Sequence, residues 1–328
     1  MFASFENKSQ KQLFAPQLEF SIVESAESTG IDTKVGLKVL KKRVICASLA
    51  ATSVAVSLAA IGAPSAVAAP KGEFAVFAQC PVSNPEVEGC LVSRTESGEF
   101  KIGNTAVPIV KTETLQGGLE NVEPIGKRFV AAANGETLTK APQKVPGGLL
   151  DLVKCNEITG NGLIEKGLRA LCESVFENGT TGVNATLELA APASSIGINE
   201  PALETGTGVA LSLPVKVKLE NTLLGNECYI GSNSNPIKLE LTSGTSGTLK
   251  GKVGEFEDRA EGRILVIKHN TLVDSGFAAP KATGCGPLGL LDGIVDSKLG
   301  LPASTSDTAV LNNTIEQANA EFVAESEG

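Results

Sequence analysis

Val209-Ala210-Leu211-Ser212-Leu213-Pro214-Val215-Lys216-Val217-Lys218-Leu219-Glu220 carries an apolar residue at every second position over twelve residues. A period of two places one set of side chains on a core and the other in water, which is the signature of a strand in an antiparallel sheet. Working outward, Val183, Ala185, Leu187 and Leu189 alternate in the same way with Asn184, Thr186 and Glu188. Further strands are predicted at Ile237–Leu241, Leu249–Val253 and Ile264–Ile267. Pro214 has no N–H to give a ladder, so its strand is expected at an edge or a bulge.

Upstream, short apolar runs such as Phe74-Ala75-Val76-Phe77 and Val107-Pro108-Ile109-Val110 are broken by turn residues, again the spacing of antiparallel strands. The expected fold class is mainly β: an antiparallel β-sandwich or barrel-like core with two or three short helices, held by disulfides. One helix is predicted over 161–177, where Leu163, Ile164, Leu168, Leu171, Cys172 and Val175 fall at three- and four-residue steps. A second is predicted over 305–323, from the capping spacing of Ser304 and Asp307 and the alignment of Leu311, Ile315 and Phe322. The Pro- and Gly-rich stretch Ala141–Gly148 suggests a boundary, giving an N-terminal β-rich region at 70–145 and a main β-rich region at 146–328.

Lys41-Lys42-Arg43 precede the apolar run Val44–Ala63, and Ala66-Val67-Ala68 follows it. That order reads as a secretory signal with its apolar segment and cleavage site at 44–69. Residues 1–43 then form an extended leader or a misassigned start, and no transmembrane segment is expected after cleavage. Beyond residue 69 the chain holds 21 Lys and Arg against 32 Asp and Glu, a net charge of -11. Such an acidic chain lacks the phosphate-neutralising surface of a nucleic-acid binder. Six cysteines remain after the signal: Cys80, Cys90, Cys155, Cys172, Cys228 and Cys285. An even set in an exported chain reads as three disulfides. Cys80 and Cys90 flank one short turn-rich segment, Cys155 precedes the helix that carries Cys172, and Cys228 and Cys285 bracket the later strands, so sequential pairing is expected.

Familiar chemistry is hard to place. With His269 the only histidine and no C-x-x-C or G-x-S-x-G, zinc sites and nucleophile–base triads lack their parts. His269 follows Ile264–Ile267 and reads as a strand end. Gly284-Cys285-Gly286-Pro287-Leu288-Gly289 spells a dinucleotide-type glycine pattern, but Pro287 removes one of the N–H groups that a phosphate needs. It reads instead as a turn anchored by Cys285. No catalytic, cofactor-binding or metal-binding residue is therefore assigned, and no cofactor is expected.

Two blocks, Gly98-Glu99-Phe100-Lys101-Ile102-Gly103 leading to Leu115-Gln116-Gly117-Gly118, and Leu219-Glu220-Asn221 leading to Cys228–Pro236, resemble exported actinobacterial proteins of unknown function. The resemblance implies secretion and a six-cysteine framework; it brings no activity. The expected function is a secreted or cell-surface structural or binding protein, a possible cell-envelope component, without catalysis. Two alternatives are a secreted hydrolase using an Asp/Glu pair and an extracellular carrier of an apolar ligand. A buried, water-excluded pair of carboxylates beside a cleft would favour the first, a closed apolar cavity the second, and a filled core with neither the non-catalytic structural or binding protein.

Overall fold

A computed structural model describes residues 69–122, 126–177 and 181–327. The leader and signal segments read from the sequence lie outside the described residues. The strands are β1 (Gly89–Ile102), β2 (Thr105–Ile109), β3 (Glu113–Val122), β4 (Gly126–Ala131), β5 (Gln143–Lys144), β6 (Asn184–Leu189), β7 (Gly197–Ile198) and β8 (Leu211–Glu220), followed by β9 (Tyr229–Ile230), β10 (Ile237–Leu241), β11 (Thr245–Ser246), β12 (Leu249–Lys250), β13 (Glu255–Arg259), β14 (Ile264–Ala279), β15 (Ala282–Thr283) and β16 (Ala303–Asn319). The helices are α1 (Gly148–Leu152), α2 (Leu163–Glu177), α3 (Glu200–Thr205), α4 (Asp292–Leu299) and α5 (Ala320–Glu325).

The fold is mainly antiparallel β, as the alternation predicts. One large sheet runs β13-β14-β16-β1-β3-β4-β7-β8-β6-β5, with β2 on β1 and β9 and β10 on β8. β7 makes the corner by touching β4 only at Arg128–Gly197 and β8 only at Gly197–Ser212 and Ile198–Leu211. Past it the sheet turns back, so that β6, β8, β9 and β10 face β1 and β3 across the core. β10 meets β14 through the isolated bridge Thr242–Val273, and the sheet curls without closing into a barrel. Residues 70–145 and 146–328 share this sheet: β1 lies between β3 and β16.

β-Bulges keep the long strands aimed at one core. On β1 the inward residues are Leu91, Ser93 and Thr95; the register slips between Thr95 and Ser97, after which Gly98, Phe100 and Ile102 point inward. β14 slips between Ile267 and Asn270 and again near Phe277, which switches its inward parity twice. A slip of one residue would otherwise turn each apolar set to solvent. The opposite face of β1, β16 and β14 carries a smaller core of Cys90, Val92, Ala318, Ile264 and Val266 under Phe74, Phe77 and Val323.

Three expectations are corrected. The helix predicted over 305–323 is instead the strand β16, with helix only from Ala320. Leu311 and Ile315 are four residues apart, a spacing that lines up equally on a helix and on a strand face; the buried alternation Asp307, Ala309, Leu311, Asn313, Ile315 decides it. Phe74–Phe77 is a 3-10 turn within Gly72–Phe77, not a strand, and its three-residue period brings Phe74 and Phe77 to the same side. Pro214 is not on an edge strand. β8 is flanked on both sides, and Pro214 lies where one neighbour gives way to another: β7 pairs up to Ser212 and β6 from Val215.

The disulfides are Cys80–Cys90, Cys155–Cys172 and Cys228–Cys285, the expected sequential set. The first ties the Gly72–Phe77 turn to β1. The second pins α2 to the segment before it; α2 buries Leu168, Cys172 and Val175, while Leu163, Ile164 and Leu171 face solvent. The third joins the chain before β9 to the chain after β15, two strands that pair. Stable disulfides belong to oxidising compartments. No described helix is long and apolar enough to cross a membrane.

Candidate functional site

The register places four polar residues side by side across the inner face of the sheet. Glu113 on β3 is opposite Thr95 on β1, Thr95 is opposite Asn313 on β16, and Asn313 is opposite Asn270 on β14. All four are at least nine-tenths buried, Asn270 completely. The neighbouring row is Leu115, Ser93, Ile315 and Ile267, and the row on the other side holds Leu311 and Leu272. A polar stripe therefore crosses the floor of an otherwise apolar core.

The stripe is only partly satisfied. Asn313 donates from Nδ2 to Ser93 Oγ at 3.4 Å, while its Oδ1 has no hydrogen-bond partner among the described residues. Neither amide atom of Asn270 has one. Leaving such groups unmatched costs about 1–3 kcal/mol apiece, so a fold that retains them gives up stability at this row.

Gln143 extends the stripe beyond Glu113. Its Oε1 accepts from the backbone N–H groups of Val110 and Lys111 at 2.9 and 3.0 Å, and its Nε2 donates to Lys111 O at 2.7 Å and to Glu113 Oε1 at 3.4 Å. Both ends of the amide are occupied, which fixes Gln143 as a clamp on the loop before β3. Glu113 opens that strand and is held beside it. Burial raises the Glu113 carboxyl from 4.5 to about 7, and the Gln143 contact opposes only part of that rise.

Glu113 borders two adjoining cavities. One, of about 50 Å³, lies between β1–β3 and β6–β9, floored by Ile102, Val145, Leu152, Val217, Leu219, Ile230 and Leu299. Its half-buried members Phe100, Thr105, Val107, Ala185 and Leu187 form the open side. The other, about 30 Å³, lies over the polar stripe and is lined by Ser93, Thr95 and Asn313 together with leucines. Phe100, Leu187 and Glu113 border both, and among the described residues Glu113 is the only ionisable one lining either.

Asp307 is a second buried acid whose carboxyl is raised by burial, with Oδ1 accepting from Gly103 N at 2.6 Å. It sits on β16 six residues before Asn313, about 20 Å along the strand from the row of Glu113. Paired glycosidase carboxyls stand roughly 5–9.5 Å apart, so these two do not form such a pair. A groove of about 440 Å³ at the far end of the inner face includes Glu88, Lys127, Glu200 and Gln317. There Glu200 already takes Lys127 at 2.6 Å and Gln317 at 2.7 Å.

The residues singled out in the sequence fall elsewhere. The six cysteines are all bonded and border neither cavity. His269 is not a strand end: it sits in the first bulge of β14 at φ 54°, exposed, with Nδ1 3.5 Å from Glu255 Oε2. Gly284–Gly289 forms the turn after β15, held by Cys285. Among the described residues no three His, Cys, Asp or Glu gather as a metal site. Nothing in the sequence marks Glu113, Gln143, Asn270 or Asn313 as residues of a site. No family model matches the chain, and neither a curated protein nor a solved structure does, so the site stands on its own chemistry.

Proposed function

We propose that this is an exported, non-catalytic binding protein of the cell surface or extracellular medium, which seats a slender and mainly apolar ligand between its sheets. The observation that carries the reading is the pair of adjoining apolar cavities with one buried carboxyl at their junction. Binding sites of this kind combine apolar walls with a few fixed polar groups that orient the ligand. The cavity at the mouth is about a third of the roughly 150 Å³ apolar space that admits benzene, so it can take the end of an extended chain, the rest lying along its open side, and not a whole ring. The separation of Glu113 from Asp307 supports binding over a hydrolase built on those two acids. Three disulfides, the leader pattern and the resemblance to exported actinobacterial proteins support a place outside the cytoplasm.

The test uses the chain from Pro70 onward, oxidised, in a thermal-shift and calorimetric screen of short linear aliphatic compounds. Saturable binding that Leu187→Phe abolishes is the expected result. Absence of binding together with hydrolytic turnover of a glycoside or ester would overturn the reading.

A further inference from the structure

We propose that the ligand of this cavity carries a protonated amine, an alkylammonium head that docks on Glu113 with its chain lying between Phe100, Val107 and Leu187. The inference rests on the binding reading above and specifies its head group. Glu113 lines both cavities, and no other described residue lining them can ionise. Among the described residues, β1, β2, β6, β8, β9, β10, β16 and α4, with Leu152 of α1, present apolar, hydroxyl or amide side chains to these spaces, while Lys111 and Lys144 beside the Gln143 clamp are exposed. The protein thus buries a carboxyl without a counter-charge. The side-chain hydrogen bond it accepts comes from Gln143, which is already committed to three backbone contacts and reaches Glu113 only at 3.4 Å.

The chemistry discriminates among head groups. An ammonium supplies the missing positive charge and N–H donors to a carboxylate fixed in a water-poor site, where charge-assisted bonds are roughly twice as strong as neutral ones. A carboxylate ligand would set two negative charges together. An alcohol would form neutral bonds only. Below neutrality the carboxyl holds a proton, and docking the ammonium releases that proton to solvent. Affinity should therefore fall about tenfold for each pH unit below 7, and hold between pH 8 and the amine's own titration near 10.

The experiment titrates the oxidised chain from Pro70 with n-butylamine, n-butanol and butyrate by calorimetry at pH 5, 6, 7 and 8, with xenon NMR as a probe of the apolar space alone. The expected result at pH 8 is a preference for butylamine of about tenfold or more over both others, fading at lower pH. Glu113→Gln, which keeps the shape and removes the charge, should lose that preference and its pH dependence. Leu187→Phe should abolish binding of all three while leaving Glu113 in place. Butanol binding as well as butylamine would overturn the ammonium assignment and leave the binding reading standing. Xenon binding alone would also overturn it, and no binding of any probe, xenon included, would overturn both.

Discussion

Replacing Glu113 by Gln should make the protein more stable at neutral pH, an unusual direction for a buried position. The folded carboxyl titrates at about 7 against 4.5 in the open chain, so folding carries a proton that unfolding releases. Between those values the folded state binds one proton more than the unfolded state, and stability falls by about 1.4 kcal/mol per pH unit as pH rises. Below 4.5 the penalty is absent; above 7 it is complete, about 3 kcal/mol in total. Gln has nearly the same volume, can keep the contact with Gln143 and never ionises. The assay is urea unfolding of both proteins with disulfides intact, from pH 4 to 8. The difference between them cancels the other carboxyls: near zero at pH 4, it should grow through pH 7 to about 3 kcal/mol in favour of Gln. A difference that stays flat with pH, or that favours Glu at pH 8, would refute the account of Glu113 as a desolvated acid without a counter-charge.

Removing the Cys228–Cys285 bridge by double Ala substitution should cost about 4 kcal/mol from its 57-residue separation, more than the about 3 kcal/mol expected for Cys155–Cys172 at 17, measured by denaturant unfolding. Gly98→Ala should destabilise by more than about 2 kcal/mol: at φ 143° just past the β1 bulge, an added Cβ would lie 1.9 Å from Val310 O, and thermal melting would show the loss. His269→Asn should leave stability within about 0.5 kcal/mol and ligand binding unchanged, because the side chain is exposed and Asn tolerates the left-handed backbone. Secretion by the native host should yield a chain that begins at Ala69 or Pro70 on N-terminal sequencing.

What could be read along the chain is what repeats locally. β8 and β10 announce themselves because alternation over five to ten residues is a local property that the sheet only confirms. The disulfides were readable because each pair spans one supersecondary unit. β16 reads as a helix in the sequence because its apolar marks four residues apart are common to both periods, and its core-facing set includes Asp307 and Asn313, which a hydropathy pattern scores as solvent. The long strands were truncated for a related reason. Alternation in β14 breaks at each bulge, so a reading that demands one parity stops at Ile267, and the strand continues to Ala279.

The site was less legible than the fold because it is a property of register across strands. Glu113, Thr95, Asn313 and Asn270 come from four strands scattered over most of the described chain, and nothing local marks them as neighbours. One local sign existed. Glu113 is in phase with Leu115, and Thr95 with Leu91 and Ser93, so each stands on the buried side of its own alternation. A polar residue in the inward phase either finds a partner inside or is kept at a cost. One such residue is ordinary; here four stand at the same level of adjacent strands, three of them lining the cavity above the stripe and the fourth, Asn270, with both amide atoms unmatched. Leucine or valine at these positions would close the core and add stability, and the protein instead maintains a polar floor under an apolar opening. That expense is intelligible where the row meets a ligand's head group, which is why the Glu113→Gln comparison, stability gained against recognition lost, bears on the function as directly as any binding assay.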